Sequence, residues 1–282
     1  IMMQNNLMYQ FTSLNRTINP FVYPTHRLLV ALVPIAGVIL GVYTLLTGGD
    51  LGSAIVAGFY AGASALLAWI LAREIDPDND YSAFVALGLA TIGAFFATPN
   101  ILVLAGAITL VRIVNRIVGF PAKISDYVIA IALGILTMLF TQAWIFGAMV
   151  AITLLLDANL PEPAPLGYTF AFAMLLIMLP TWRYLNVALV DVSRDLLPIV
   201  LGISAVFIGH ILTTKRFDCV CDATNTPPYP IRVQAGMGLM LGMAVIFALI
   251  YGDSGIFALM PLWATFVGVM LYRGVMLITK RG

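Results

Sequence analysis

The sequence predicts an all-α, polytopic membrane bundle of about ten transmembrane helices, arranged as hairpins with short outer loops. The first observation is compositional. Hydrophobic residues fill 61% of the 282 positions and charged residues only 10%, whereas a soluble domain needs roughly 25% charged residues to wet its surface. Mean hydropathy is +1.01. The second is segmentation: apolar runs near the roughly 20 residues that cross a bilayer alternate with short polar breaks. The third is the placement of the basic residues along those breaks.

The runs fall at Leu28–Leu46, Ser53–Ala72, Ser82–Ala97, Ile101–Val118, Tyr127–Thr141, Trp144–Leu156, Leu166–Trp182, Leu196–Thr213, Ala235–Tyr251 and Ile256–Ile278. Trp144–Leu156 is too short to cross upright, so it reads as a tilted partner inside the bundle. With the chain starting inside, one side holds Arg16, Arg27, Arg73, Arg112, Arg116, Lys123, Lys215, Arg216, Arg232, Arg273, Lys280 and Arg281. The other side holds only Arg183 and Arg194. Lys and Arg gather in cytoplasmic loops, so both termini are expected in the cytoplasm of an integral, multi-pass protein. A wrong helix count would scramble this asymmetry.

Outer connections are tight and nearly uncharged: Thr47–Asp50, Thr98–Asn100, Gln142–Ala143 and Gly252–Gly255. Arg183–Asp195 is the exception, with Pro180, Trp182 and Tyr184 suggesting a helix that ends at the interface. Gly37/Gly41, Gly58/Gly62 and Gly238/Gly242 form small-xxx-small ridges that favour close helix packing within the subunit.

Residues 1–25 form a separate N-terminal segment ahead of a single transmembrane domain over 26–282. Met3, Leu7, Phe11, Leu14 and Ile18 make one apolar stripe at helical spacing, with Gln4, Asn5, Gln10, Ser13 and Thr17 opposite. Such a helix lies in the interface or docks on protein. With one Arg and no Lys it favours docking, including onto another membrane subunit. The segment has neither a basic n-region nor an apolar h-region, so insertion is expected to rely on the first spanning helix. The lipid bilayer is the expected environment, and a net charge of +1 gives no reason to expect a nucleic-acid partner.

Candidate chemistry lies in the inward loops. Arg73–Tyr81 carries Glu74, Asp76, Asp78 and Asp80 within seven residues, a density that needs a counter-charge. Alternate positions Asp76, Asp78 and Asp80 could converge on a hard cation, Mg²⁺ or Mn²⁺. The competing reading is a solvated turn in which Asp78 or Asp80 caps the next helix. Arg112, Asn115 and Arg116 share one face at i, i+3 and i+4. They would hold the phosphate of a substrate, or pair with Glu74, Asp76 or Asp80 to lock hairpins together.

Asp157 reads as a polar helix terminus before the Pro-rich turn Leu160–Pro165. Cys219 and Cys221, flanked by Asp218 and Asp222, form a mobile loop more readily than a soft-metal site completed by His210. The chain contains neither a Gly-x-x-x-x-Gly-Lys phosphate loop nor a His-Glu-x-x-His helix. Three functions remain in view: a membrane-embedded enzyme or lipid-handling protein, a non-catalytic subunit of a membrane complex, and a transporter. Spanning segments almost free of acids count against the last.

Overall fold

A computed structural model describes residues 11–180 and 190–279. Among them are ten α-helices: α1 (Pro24–Leu46), α2 (Leu51–Ile75), α3 (Asp80–Gly93), α4 (Ile101–Asn115), α5 (Ile124–Thr141), α6 (Ile145–Asn159), α7 (Leu166–Met178), α8 (Leu196–Thr213), α9 (Pro230–Ala258) and α10 (Met260–Thr279). Six of these, α1, α2, α5, α8, α9 and α10, are long and apolar enough to cross a membrane. The bundle is therefore that of a helical membrane protein. The other four have 13 to 15 residues, which at 1.5 Å per residue is about 22 Å at most. Two of them, α4 and α6, sit deep in the core, with Leu104, Leu110, Val114, Phe146 and Leu154 fully enclosed.

The expected hairpin ends meet at two opposite faces. On one, the Asn100 amide donates to the Ala258 carbonyl, Ser193 N–H to Asp253, and the Tyr251 hydroxyl to the Gln142 carbonyl. The Tyr43 and Phe95 rings also meet there, edge to face at 5.1 Å between centroids. The other, polar face gathers the N-terminal segment, the connections at 76–79, 116–123, 160–165 and 214–229, and Arg273.

The first two helices approach until their backbones touch. A Cβ on Gly37 would lie 2.9 Å from the Gly58 carbonyl oxygen, and one on Gly58 would lie 2.8 Å from that of Gly37. These two ridges thus pack on each other within the chain, as small residues allow. The Gly238/Gly242 ridge meets nothing within 4 Å. Large apolar side chains such as Ile35, Val38, Ile39 and Val42 on α1 remain exposed, as a lipid-facing helix requires.

Three expectations need correction. The Gly252–Gly255 connection is not a loop: Gly252 kinks α9 at φ 59°, a backbone that favours glycine, and the helix continues to Ala258. The last hairpin therefore turns at Leu259, and α10 starts at Met260 rather than Ile256. The N-terminal stripe does not form a helix through Ile18, because residues 12–19 are non-helical and lie across the polar face. Met3 and Leu7 lie outside the described residues, as do Trp182–Tyr184. Finally, neither Asp78 nor Asp80 caps α3, whose N-cap is Asn79 without a side-chain bond.

Candidate functional site

The polar face is organised by two buried carboxylates. The first, Glu74, is delivered by the last turn of α2 and is almost fully enclosed. Its Oε1 accepts from Arg112 Nε at 2.8 Å and Arg16 Nη1 at 3.2 Å, and its Oε2 from Asn115 Nδ2 at 3.0 Å. A buried carboxylate persists as an ion only with such partners. Arg16 also reaches Asp222, Nε to Oδ2 at 2.6 Å. Burial opposes the Arg16 charge, but Glu74 and Asp222 outweigh it and hold the guanidinium above its ordinary value.

The second is Asp157, in the last turn of α6 and wholly buried. Its Oδ1 accepts from Arg116 Nη2 at 2.6 Å and Arg232 Nη1 at 2.9 Å, and its Oδ2 from the Tyr127 hydroxyl at 2.7 Å. Arg232 spends its remaining donors on the carbonyls of Val114, Pro161 and Glu162. Asp157 is thus a helix terminus, as the sequence suggests, and also the hub of a buried cluster. A third carboxylate, Asp126 at the start of α5, accepts from Ser13 through both N–H and Oγ, and from Thr12.

The expected Arg112, Asn115, Arg116 clamp is split. Arg112 and Asn115 turn to Glu74, while Arg116 turns to Asp157. The cause is local: α4 ends at Asn115, and Arg116 is its C-cap in the left-handed conformation, φ 50°. A non-glycine residue there costs on the order of 1 kcal/mol, against which stand its buried hydrogen bonds.

The three aspartates of the acidic run are likewise separated. Asp76 is buried and accepts from Arg273 Nη2 at 2.6 Å and from Asn79. Asp78 Oδ1 accepts the backbone N–H groups of Asp218 and Cys219 at 3.0 and 2.9 Å. Asp80 pairs with Arg73. Among the described residues, no group of three His, Cys, Asp or Glu side chains is placed to hold a metal ion. Cys219 and Cys221 are free thiols. Burial and then Asp78 push the Cys219 thiol up to about 12, and burial also raises Cys221.

Between the N-terminal segment, the start of α1, the end of α2 and the 220–225 loop lies a cavity of about 520 Å³. Arg16, Arg73, Arg112, Tyr23, His26 and Trp69 line it. Arg73 uses only Nη1 in hydrogen bonds, and Arg112 only Nε and Nη1. That leaves Arg73 Nε and Nη2 and Arg112 Nη2 without partners among the described residues, of the five N–H donors each guanidinium carries. Trp69 is enclosed, and its Nε1–H has no acceptor among the described residues. His26 Nδ1 accepts the Asn19 amide at 2.9 Å, which places the proton of the neutral ring on Nε2. Glu74, Asp80 and Asp222 also line the cavity, each paired with an arginine, so the groups left over are the remaining guanidinium N–H donors of Arg73 and Arg112.

Sequence reasoning reached Arg112, Asn115 and their pairing with Glu74. It counted Arg16 and Arg232 only towards the charge asymmetry. An arginine two residues into a spanning helix, after Pro230, was the available signal for Arg232, because a charge at membrane depth needs a partner. Comparison with protein-family models, with curated proteins and with solved structures finds no match to this chain.

Proposed function

We propose that this chain is a multi-pass lipid-handling protein that holds the phosphate-bearing headgroup of an amphiphile in the arginine-lined cavity of its polar face. The observation that carries this reading is the surplus of donors. Arg73 and Arg112 line one cavity with N–H groups that have no partner among the described residues. A phosphate is an acceptor-rich ligand that matches them. Ile18, Tyr23, Ile70 and Val220 give the cavity an apolar edge beside the exposed surface of α1. The acyl chains would lie along that edge.

The arrangement favours binding over catalysis, since Glu74, Asp80 and Asp222 are each committed to an arginine. Ten crossings, with the polar face and both termini in the cytoplasm, complete the proposal. They are supported by the basic-residue asymmetry and by the shared face of the inward connections.

The test uses purified protein in mixed micelles containing phosphatidate, phosphatidylcholine or diacylglycerol. Phosphatidate should raise the unfolding temperature most, because a ligand bound only by the folded state stabilises it. Arg73→Gln should remove that increment. Equal stabilisation by diacylglycerol would overturn the headgroup assignment.

A further inference from the structure

The exposed apolar bands of α5 and α8 are shorter than a bilayer is thick. Along α5 the exposed apolar side chains run from Ile124 to Phe140, between Lys123 and Gln142. Along α8 they run from Leu197 to Leu212, between Asp195 and the exposed pair Lys215 and Arg216. At about 1.5 Å per residue these bands rise about 24 Å and about 22 Å. The hydrocarbon core of a typical bilayer is about 30 Å thick. On α1, by contrast, the band from Leu28 to Leu46 rises about 27 Å.

The interior has the same short dimension. Asn100 stands at the face of Ala258, and α4 runs from it to Asn115, which bonds to Glu74. That is a rise of about 22 Å. Helix α6 runs from Ile145, beside the Gln142 turn, to the buried Asp157. Helix α10 runs from Met260, beside Ala258, to Arg273, which bonds to Asp76. These rises are about 18 Å and about 20 Å. Three helices thus set the layer of buried ion pairs about 20 Å from the opposite face. In a bilayer of ordinary thickness that layer would lie within the hydrocarbon, where charge is costly.

Tilt does not repair the deficit, because it shortens the projection of a helix on the membrane normal. A stretch that is too short thins the bilayer, extends its flanking side chains outward or buries its edge against another subunit. Lys215 and Arg216 are long enough to reach outward from α8, but Asp195 at its other end is not. Helix α5 packs mainly on α4 and α6, and α8 on α9 and α10. One contact with a neighbouring subunit would therefore not cover both bands. Thinning remains.

We propose that the lipid shell of this protein is thinned along α5 and α8, and that the protein recruits lipids with acyl chains shorter than oleoyl. The first hairpin keeps nearly the ordinary thickness, so the shell is uneven around the bundle. The partner of the thin edges is the acyl region of a short-chain lipid, whatever its headgroup.

Quenching of tryptophan fluorescence by brominated lipid tests this on the native chain. The protein is reconstituted with dibrominated dioleoyl phosphatidylcholine and increasing amounts of unbrominated dimyristoleoyl, dioleoyl or dierucoyl phosphatidylcholine. All three are fluid and share one headgroup, so the outcome is independent of the cavity assignment. Dimyristoleoyl lipid should displace the brominated lipid about twofold more effectively than dioleoyl lipid, and dierucoyl lipid less effectively. Trp144, half-buried at the start of α6 and beside the end of α5, reports on that edge. The component of quenching lost in Trp144→Phe should show the same order. Equal displacement by the three lipids, in the whole signal or in that component, would overturn the proposal, as would a preference for dierucoyl lipid.

Discussion

Arg232 Nη1 lies 2.9 Å from Asp157 Oδ1, and both side chains are closed off from solvent. Arg116 adds its own contact to the same oxygen, so one carboxylate serves two guanidinium groups. Removing that carboxylate leaves two buried positive charges facing each other. Asp157→Ala should therefore destabilise the protein by about 3–5 kcal/mol. Denaturant unfolding in detergent would measure it, and Tyr127→Phe, which loses one hydrogen bond, should cost about 1–3 kcal/mol.

The Glu74 cluster is expected to behave as a coupled unit. Arg112→Ala and Glu74→Gln should each destabilise, and the double variant should be more stable than their sum implies. A coupling energy on the order of 1–3 kcal/mol is expected from a double-mutant cycle. Strict additivity would show that the contact contributes nothing.

Cys219 should alkylate slowly. Its thiol, pushed up to about 12 by burial and by Asp78, holds its proton across the neutral range. Only the thiolate reacts, so the rate should keep rising as pH increases from 8 to 10 without a plateau. Asp78→Asn removes the charge that opposes ionisation. It should speed iodoacetamide labelling by on the order of tenfold at pH 8.

Divalent cations provide a direct check on the acidic run. Since Asp76, Asp78 and Asp80 serve three different partners, millimolar Mg²⁺ should stabilise no more than a monovalent salt of matched ionic strength. An excess shift that disappears in Asp78→Asn would restore the metal reading.

Orientation is testable with inserted tags. Tags at Asn79 and Asn225 should report the cytoplasm, and one at Gly49 the opposite side. A cytoplasmic report from Gly49 would reverse the assignment.

What the sequence made legible follows from what hydropathy measures. Leu196–Thr213 matches α8 at both ends, because lipid exposure makes the whole helix apolar and its polar flanks mark both edges. Around Gly252–Gly255 the same reasoning failed, since Gly, Asp and Ser resemble a turn while the backbone only kinks and resumes its helix. The N-terminal stripe misled for a different reason. Its helical spacing was real, but Thr12, Ser13 and Arg16 find stronger partners in Asp126, Glu74 and Asp222 than a helix offers them. Pairings such as Arg116 with Asp157, 41 residues apart, depend on which helix ends meet, and local periodicity carries no such information. Arg112 and Glu74 were nameable because only a few carboxylates share that face.

The N-terminal segment has a consequence for the order in which the protein is made. Ser13 bonds to a residue 113 positions later, and Arg16 to one 206 positions later. Chains emerge from the ribosome N-terminus first, so these partners are synthesised long after the segment itself. The α1–α2 hairpin, closed by its own glycine contacts, can assemble early. The polar face cannot. Until the residue 222 loop appears, Arg16 lacks one of its two carboxylates, and the segment has only Glu74 and Asp126 to hold it. The Arg16–Asp222 contact is thus the last of the segment's contacts to form, and chains truncated before residue 222 should expose residues 11–19 to protease more readily than the full chain while retaining their first inserted hairpin.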